Sequence, residues 1–138
     1  MRFTALFACF LLAAPAAAAR QELPTLSPAR AISRAASASP KPVRALFQLK
    51  VQNAAKSRGG YYLDSEKDFH SAANLGVAIR ASAMPGLTRK YGADLKTAFV
   101  GKTIKLIGQV RRVSVGKSGS VTATQVEVTH AGQILSVS

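Results

Sequence analysis

From residue 43 onward, hydrophobic and polar positions alternate along most of the chain. Phe47, Leu49 and Val51 take every second place, with Gln48, Lys50 and Gln52 between them, the period of a strand with one face in a core. Lys56-Ser57-Arg58-Gly59-Gly60 follows as a turn, because paired glycines accept the positive φ of a tight connection. Tyr61-Tyr62-Leu63-Asp64 reads as a short aromatic second strand, Ser65 to Ala73 as a polar loop, and Leu75, Val77 and Ile79 as one face of a third strand. Between Ser82 and Phe99 the period changes. Leu87, Tyr91, Leu95 and Phe99 recur every fourth residue, which predicts a helix from about Leu87 to Phe99; Pro85 suits its first turn, and Gly92 is its weak point. After Gly101 the alternation returns, with Ile104, Leu106 and Val110 inward and Lys105, Ile107, Gln109 and Arg111 outward. Val113 and Val115 then fall on the opposite parity, which predicts a bulge at Arg111-Arg112. Gly116-Lys117-Ser118-Gly119 makes a turn, Val121 to Val128 a fifth strand, and Ile134 to Val137 a last short strand or an extension of it.

The residues before 43 lack any such period. Arg2, the apolar run Phe3 to Leu12 and the small residues Ala16 to Ala19 have the layout of a secretory signal, residues 1–19; the apolar run is too short for a membrane span. This predicts an exported protein, periplasmic or secreted. Residues 20–42 mix four prolines with serines and alanines and are expected to be a flexible basic leader, whose Ala29–Ala38 stretch is too short for more than a transient helix. The folded domain is then 43–138.

With 138 residues in all, the chain has room for one small domain, which excludes multidomain enzymes. Its 48% hydrophobic content excludes a wholly disordered chain. Cleavage after residue 19 would remove Arg2 and Cys9, leaving 18 basic against 6 acidic residues, a net of +12, and no thiol. Thiol catalysis and a Cys/His zinc site are excluded, since only His70 and His130 remain.

The order β-β-β-α-β-β in just under 100 residues predicts a mainly β fold, a five-stranded OB-fold-like barrel with one helix between strands three and four. Tyr62-Leu63-Asp64-Ser65-Glu66-Lys67-Asp68-Phe69, Asn74-Leu75, Phe99-Val100-Gly101-Lys102-Thr103-Ile104 through Gly108-Gln109-Val110, and Val126-Glu127-Val128-Thr129 with Gln133-Ile134 occur in sequence order. In these segments, from Tyr61 to Val137, the chain resembles the small exported bacterial OB-fold proteins commonly labelled nucleic-acid-binding. The resemblance implies a binding module with no catalytic residues to carry over. The stretch between Val110 and Val126 is longer here than in that pattern.

Asp64, Glu66 and Asp68 alternate, yet an EF-hand loop needs Gly and Glu where this chain has Phe69 and Leu75. They read better as a strand end and turn cap, and with only Asp94 and Glu127 left in the domain no acid–base pair forms, so no catalytic residue and no cofactor is expected. Gly101-Lys102-Thr103 and Gly116-Lys117-Ser118 lack the glycine and the helix of a phosphate-binding loop. His70 and His130 read as solvated. The positive charge carries more. OB-folds bind chains across strands two and three, flanked by the loops joining strands one to two and four to five. Lys56 and Arg58 fall on the first loop, and Arg111, Arg112 and Lys117 on or beside the second. Lys50, Lys105 and Arg80 are expected outward on adjoining strands, and one of Tyr61 and Tyr62 outward for stacking on a base or sugar. This set predicts a basic groove for nucleic acid, single-stranded in preference, or another polyanion. The alternative is a cell-envelope interaction protein bound to anionic glycan, lipopolysaccharide or an acidic protein partner.

Overall fold

The computed structural model describes residues 22–116, 118–119 and 121–138; the expected signal segment, 1–19, and Lys117 lie outside the described residues. The elements are β1 (Thr25–Leu26), α1 (Pro28–Ala38), β2 (Val43–Lys50), β3 (Asn53–Lys56), β4 (Tyr61–Asp64), β5 (Leu75–Ile79), α2 (Met84–Tyr91), α3 (Leu95–Phe99), β6 (Thr103–Val115), β7 (Val121–Val128) and β8 (Ile134–Val137). Short 3-10 turns at Ala81–Ala83 and Ala131–Gln133 precede α2 and β8.

The fold is mainly β. One sheet of eight strands runs β1-β2-β6-β7-β5-β4-β3, with β8 beside β6. The hydrogen-bonded path is not closed, but its last strand, β3, is nearly continuous in sequence with its second, β2, because only Val51 and Gln52 separate them. There the backbone changes partners: Val51 N donates to Lys102 O and Val51 O accepts from Gly101 N, while Gln52 N donates to Asp64 O. The arrangement is broadly consistent with an OB-like barrel. Its strand count is eight where five were expected, because the first strand breaks in two and the short β1 and β8 are added.

Alternation places Phe47, Leu49, Leu63, Val77, Ile104, Leu106, Val110, Val126 and Val128 in the core. The predicted helix exists as two pieces. Gly92, at φ +99°, ends α2, and Asp94 caps α3, its carboxylate accepting from Lys96 N, Thr97 N and Thr97 Oγ1. Leu87, Leu95 and Phe99 still share one buried side.

Two expectations differ from the structure. Residues 25–38 are packed and do not form a flexible leader: β1 pairs parallel with β2, and Ser27 caps α1 by accepting from Arg30 N. Leu26, Ala31 and Ala35 belong to the core, and α1 packs on β2, β5 and β6. Its buried stripe is made of alanine instead of bulky apolar residues, which hid this helix in the sequence. Nor is there a bulge at Arg111-Arg112, since the β6–β7 register runs unbroken from Val110↔Val126 to Val115↔Val121. Beyond Val110 the hairpin passes the end of the core, and its apolar residues, Val113 and Val115, change face because what they cover has changed. The register shift on β6 lies instead between Lys105 and Leu106, against β8. Among the described residues no helix is long and apolar enough to cross a membrane.

Candidate functional site

Strand register sets out the outer face of the sheet in rows. Asn53, Asp64, Gly76 and Gln125 are successive cross-strand partners on β3, β4, β5 and β7, and Ala55, Tyr62, Ala78 and Glu127 form the adjacent row. Small residues at the centre of both rows keep the surface low. A groove of about 530 Å³ lies over the first row and over Ala55 and Tyr62 of the second, closed on one side by the loop between β4 and β5 and on the other by the tip of the β6–β7 hairpin. Tyr62 is half-buried in it, whereas Tyr61 is in the core with Leu63, so the outward tyrosine of the pair is Tyr62. The loop adds Phe69, 57% exposed, its ring centroid 3.9 Å from that of His70. Asn53, Asn74 and Gln125 supply amides. No Lys or Arg among the described residues lines this groove.

Asn74 holds the loop that carries Phe69. Its Nδ2 donates to Asp64 Oδ1 at 3.0 Å and to Phe69 O at 3.4 Å, and its Oδ1 accepts from Glu66 N at 3.1 Å. Ser65 Oγ accepts from Leu75 N at 2.8 Å. Asp64 also accepts from Asn53 Nδ2. Burial raises the Asp64 carboxyl above the usual carboxylate value, and the two amide hydrogen bonds only partly offset it. The alternating acids therefore serve the loop: Asp64 anchors its start, and Asp68 Oδ1 caps a turn by accepting from His70 N.

A second groove of about 420 Å³ adjoins the first across β7. It is lined by Arg44, Gln109, Arg111, Glu127 and His130 over a floor of Gly108 and Gln133. Gln133 is buried, and each end of its amide is bound. Oε1 accepts from Thr129 N, Thr129 Oγ1 and His130 N, while Nε2 donates to Ile107 O and Glu127 O. Gly108 is required there, since a Cβ would come within 2.9 Å of Val126 Cγ1 and 3.3 Å of Gln133 Nε2. Glu127 bridges Arg80 (3.2 Å) and Arg111 (3.3 Å), all three side chains being well exposed, so these ion pairs hold loosely.

The predicted cations are dispersed. The Lys56–Gly60 turn adjoins the Tyr61 and Ile79 ends of β4 and β5, while the β6–β7 turn adjoins the opposite ends of these strands, near Asp64 and Leu75. Lys56 lies near Asp94, whose carboxyl is held below the usual value first by the Thr97 hydrogen bonds and to a smaller extent by this charge. Arg58 is exposed on the turn. Lys50 and Lys105 lie farther along β2 and β6, beside Thr103 and Gln48. Arg112 is exposed opposite Thr124. Arg80 and Arg111 come together through Glu127. Phe69, Arg44 and His130 had no predicted role; the available sign was an aromatic residue standing in an otherwise polar loop, whereas the nearness of Arg44 to His130 depends on the β2–β6 register.

No family profile and no curated protein matches the chain. Among solved structures it is similar to a protein assigned as an aspartyl-tRNA synthetase from Leishmania major Friedlin, at 10% identity and a TM-score of 0.49, over 83% of this chain. The match spans about a fifth (21%) of that structure's length.

Proposed function

We propose that the protein is a non-catalytic binding module for single-stranded nucleic acid, exported from the cell, and that its fold is a five-stranded OB barrel. In this reading β2 and β3 are the two halves of the first strand, β4 to β7 supply the rest, and β1 and β8 are additions. The observation that carries the function is the groove over β4 and β5, with Tyr62 at its base and the exposed Phe69 on its wall. Aromatic faces of this kind stack on bases without regard to sequence, and the Gln125 amide on the groove lining matches the donors and acceptors of base edges. The groove is not itself basic. The strong positive charge of the chain, +13, acts around it as a field that draws a polyanion in.

Titrating labelled oligothymidylate into wild-type, Tyr62→Ala and Phe69→Ala proteins tests the reading. Each stacked base contributes about 1–3 kcal/mol, and both variants should lose affinity by that amount at high as well as low salt. Unchanged affinity in both, together with tight binding of heparin or lipopolysaccharide, would overturn it in favour of an envelope-surface binder.

A further inference from the structure

The second groove has a chemistry that the aromatic groove lacks. Arg44 and Gln109 are direct cross-strand partners on β2 and β6, and Arg111 stands two residues along the same face of β6 from Gln109. His130 completes the wall. Among the described residues Arg44 is in neither ion pair, and the ion pair of Arg111 is with the partly exposed Glu127. Arg80 and Arg111 flank Glu127 and Arg44 lines the same groove, so three guanidinium groups and one carboxylate leave an excess of two positive charges here. The floor is rigid, because Gln133 binds the carbonyls of Ile107 and Glu127 from below.

The two grooves lie side by side on one face of the sheet, where Gln125 of the first and Arg111 of the second are direct cross-strand partners. Tyr62, Ala78 and Glu127 are successive partners across β4, β5 and β7, which puts Tyr62 two interstrand spacings, roughly 10 Å along the sheet, from the carboxylate that touches Arg111. A ligand with stacking groups over Tyr62 and anionic groups about one residue farther on would engage both. Planar guanidinium forks suit phosphate oxygens, which accept two parallel N–H bonds.

We infer that the Arg44–Arg111–His130 groove is a phosphodiester subsite, in which the backbone of a single strand displaces Glu127 from Arg111 while its neighbouring base lies over Tyr62. This rests on the nucleic-acid reading above and adds to it a path across β4, β5, β7 and β6, beyond the face of strands two and three on which OB-folds hold their ligands.

The test is the salt dependence of oligothymidylate binding by fluorescence anisotropy. Each phosphate neutralised on a single strand contributes about 0.7 to the slope of log K against log salt. Arg44→Gln should lower that slope by about 0.7, and Arg44→Gln with Arg111→Gln by about 1.4. Removing two charges from the exposed end of α2, as Arg89→Gln with Lys90→Gln, should leave it nearly unchanged. The altered side chains are exposed, and matched melting curves will show that each variant is folded; Arg44→Lys with Arg111→Lys should restore most of the slope. Wild-type binding with the same slope in the Arg44/Arg111 double variant overturns this inference and leaves the nucleic-acid reading standing. Equal slope losses from the α2 pair also overturn it, since they mean diffuse charge without a subsite. Failure of wild-type protein to bind the oligonucleotide at any salt concentration overturns the nucleic-acid reading, and this inference with it.

Discussion

Gln133 occupies a fault in the sheet. β6 pairs with β8 as far as Leu106↔Ile134 and takes up β7 only from Val110↔Val126, leaving the carbonyls of Ile107 and Glu127 near the junction to be met by the Gln133 amide. Gln133→Ala would strand those carbonyls, and a buried group left unsatisfied costs about 1–3 kcal/mol; urea denaturation should show a loss near the top of that range. Gly60 presents a steric demand of another kind, because a Cβ there would collide with the Ile79 carbonyl oxygen across the β4–β5 start. Gly60→Ala should cost about 3 kcal/mol, the upper end for forced overpacking. Two aspartates respond to acid in opposite directions. Asp64 has a folded value above its ordinary 3.8, so the native state binds more protons in the window between the two, and this group's contribution to stability falls as pH rises through that window and then levels off. Asp94 has a lowered value; the stability it contributes is present above 3.8 and is lost as pH falls through its folded value. The stability of wild-type protein relative to Asp64→Asn should therefore decline from about pH 4 upward to a plateau, measured by melting across the acid range. A flat difference would show that Asp64 is not desolvated.

Helix α1 and strand β1 add to the core that holds the domain together. Leu26 is buried beside β2, and Ala31 and Ala35 have no exposed surface. Leu26→Ala should cost about 2–5 kcal/mol, the range for a buried leucine cut back to a methyl, and a chain begun at Val43 should melt well below the full protein. An unchanged transition in both would mean that residues 25–38 contribute nothing to the core. These residues also mark where sequence reading reached its limit. Phe47, Leu49 and Val51 declare a strand because bulky and polar side chains take turns, and the Gly59-Gly60 turn is legible because φ at Gly59 is +76°. Alanine is small enough to be buried or exposed at little cost, so a helix that packs through Ala31 and Ala35 looks like a linker. The parity change at Val113 does not mark a bulge, since alternation reports which side is covered and not by what. The candidate site divides in the same way. Alternation required that one of Tyr61 and Tyr62 face out, whereas the convergence of Arg44, Arg111 and His130 follows from which strands are neighbours, and no local pattern encodes that.

The positive charge is spread over the molecule and acts largely as a field. Arg30 and Arg34 on α1, Arg89 and Lys90 on α2, and Arg58 on the β3–β4 turn are all exposed, and none of them lines either groove. Charges of this kind act through solvent, where the Debye length is about 10 Å at 0.1 M salt and about 3 Å at 1 M. Reversing Arg30 and Arg34 to Glu should therefore slow association with oligothymidylate at low salt, because steering acts on the encounter rate, and should have little effect near 1 M. Tyr62→Ala should behave in the opposite way: its loss, about 1–3 kcal/mol per stacked base, should persist at high salt and appear as faster dissociation, since a contact made only in the bound complex does not guide the approach. Stopped-flow association and dissociation rates at two salt concentrations separate the two effects. If reversal at Arg30 and Arg34 weakens binding at 1 M as much as at 0.1 M, α1 touches the ligand directly, and the grooved outer face is not the whole of the binding surface.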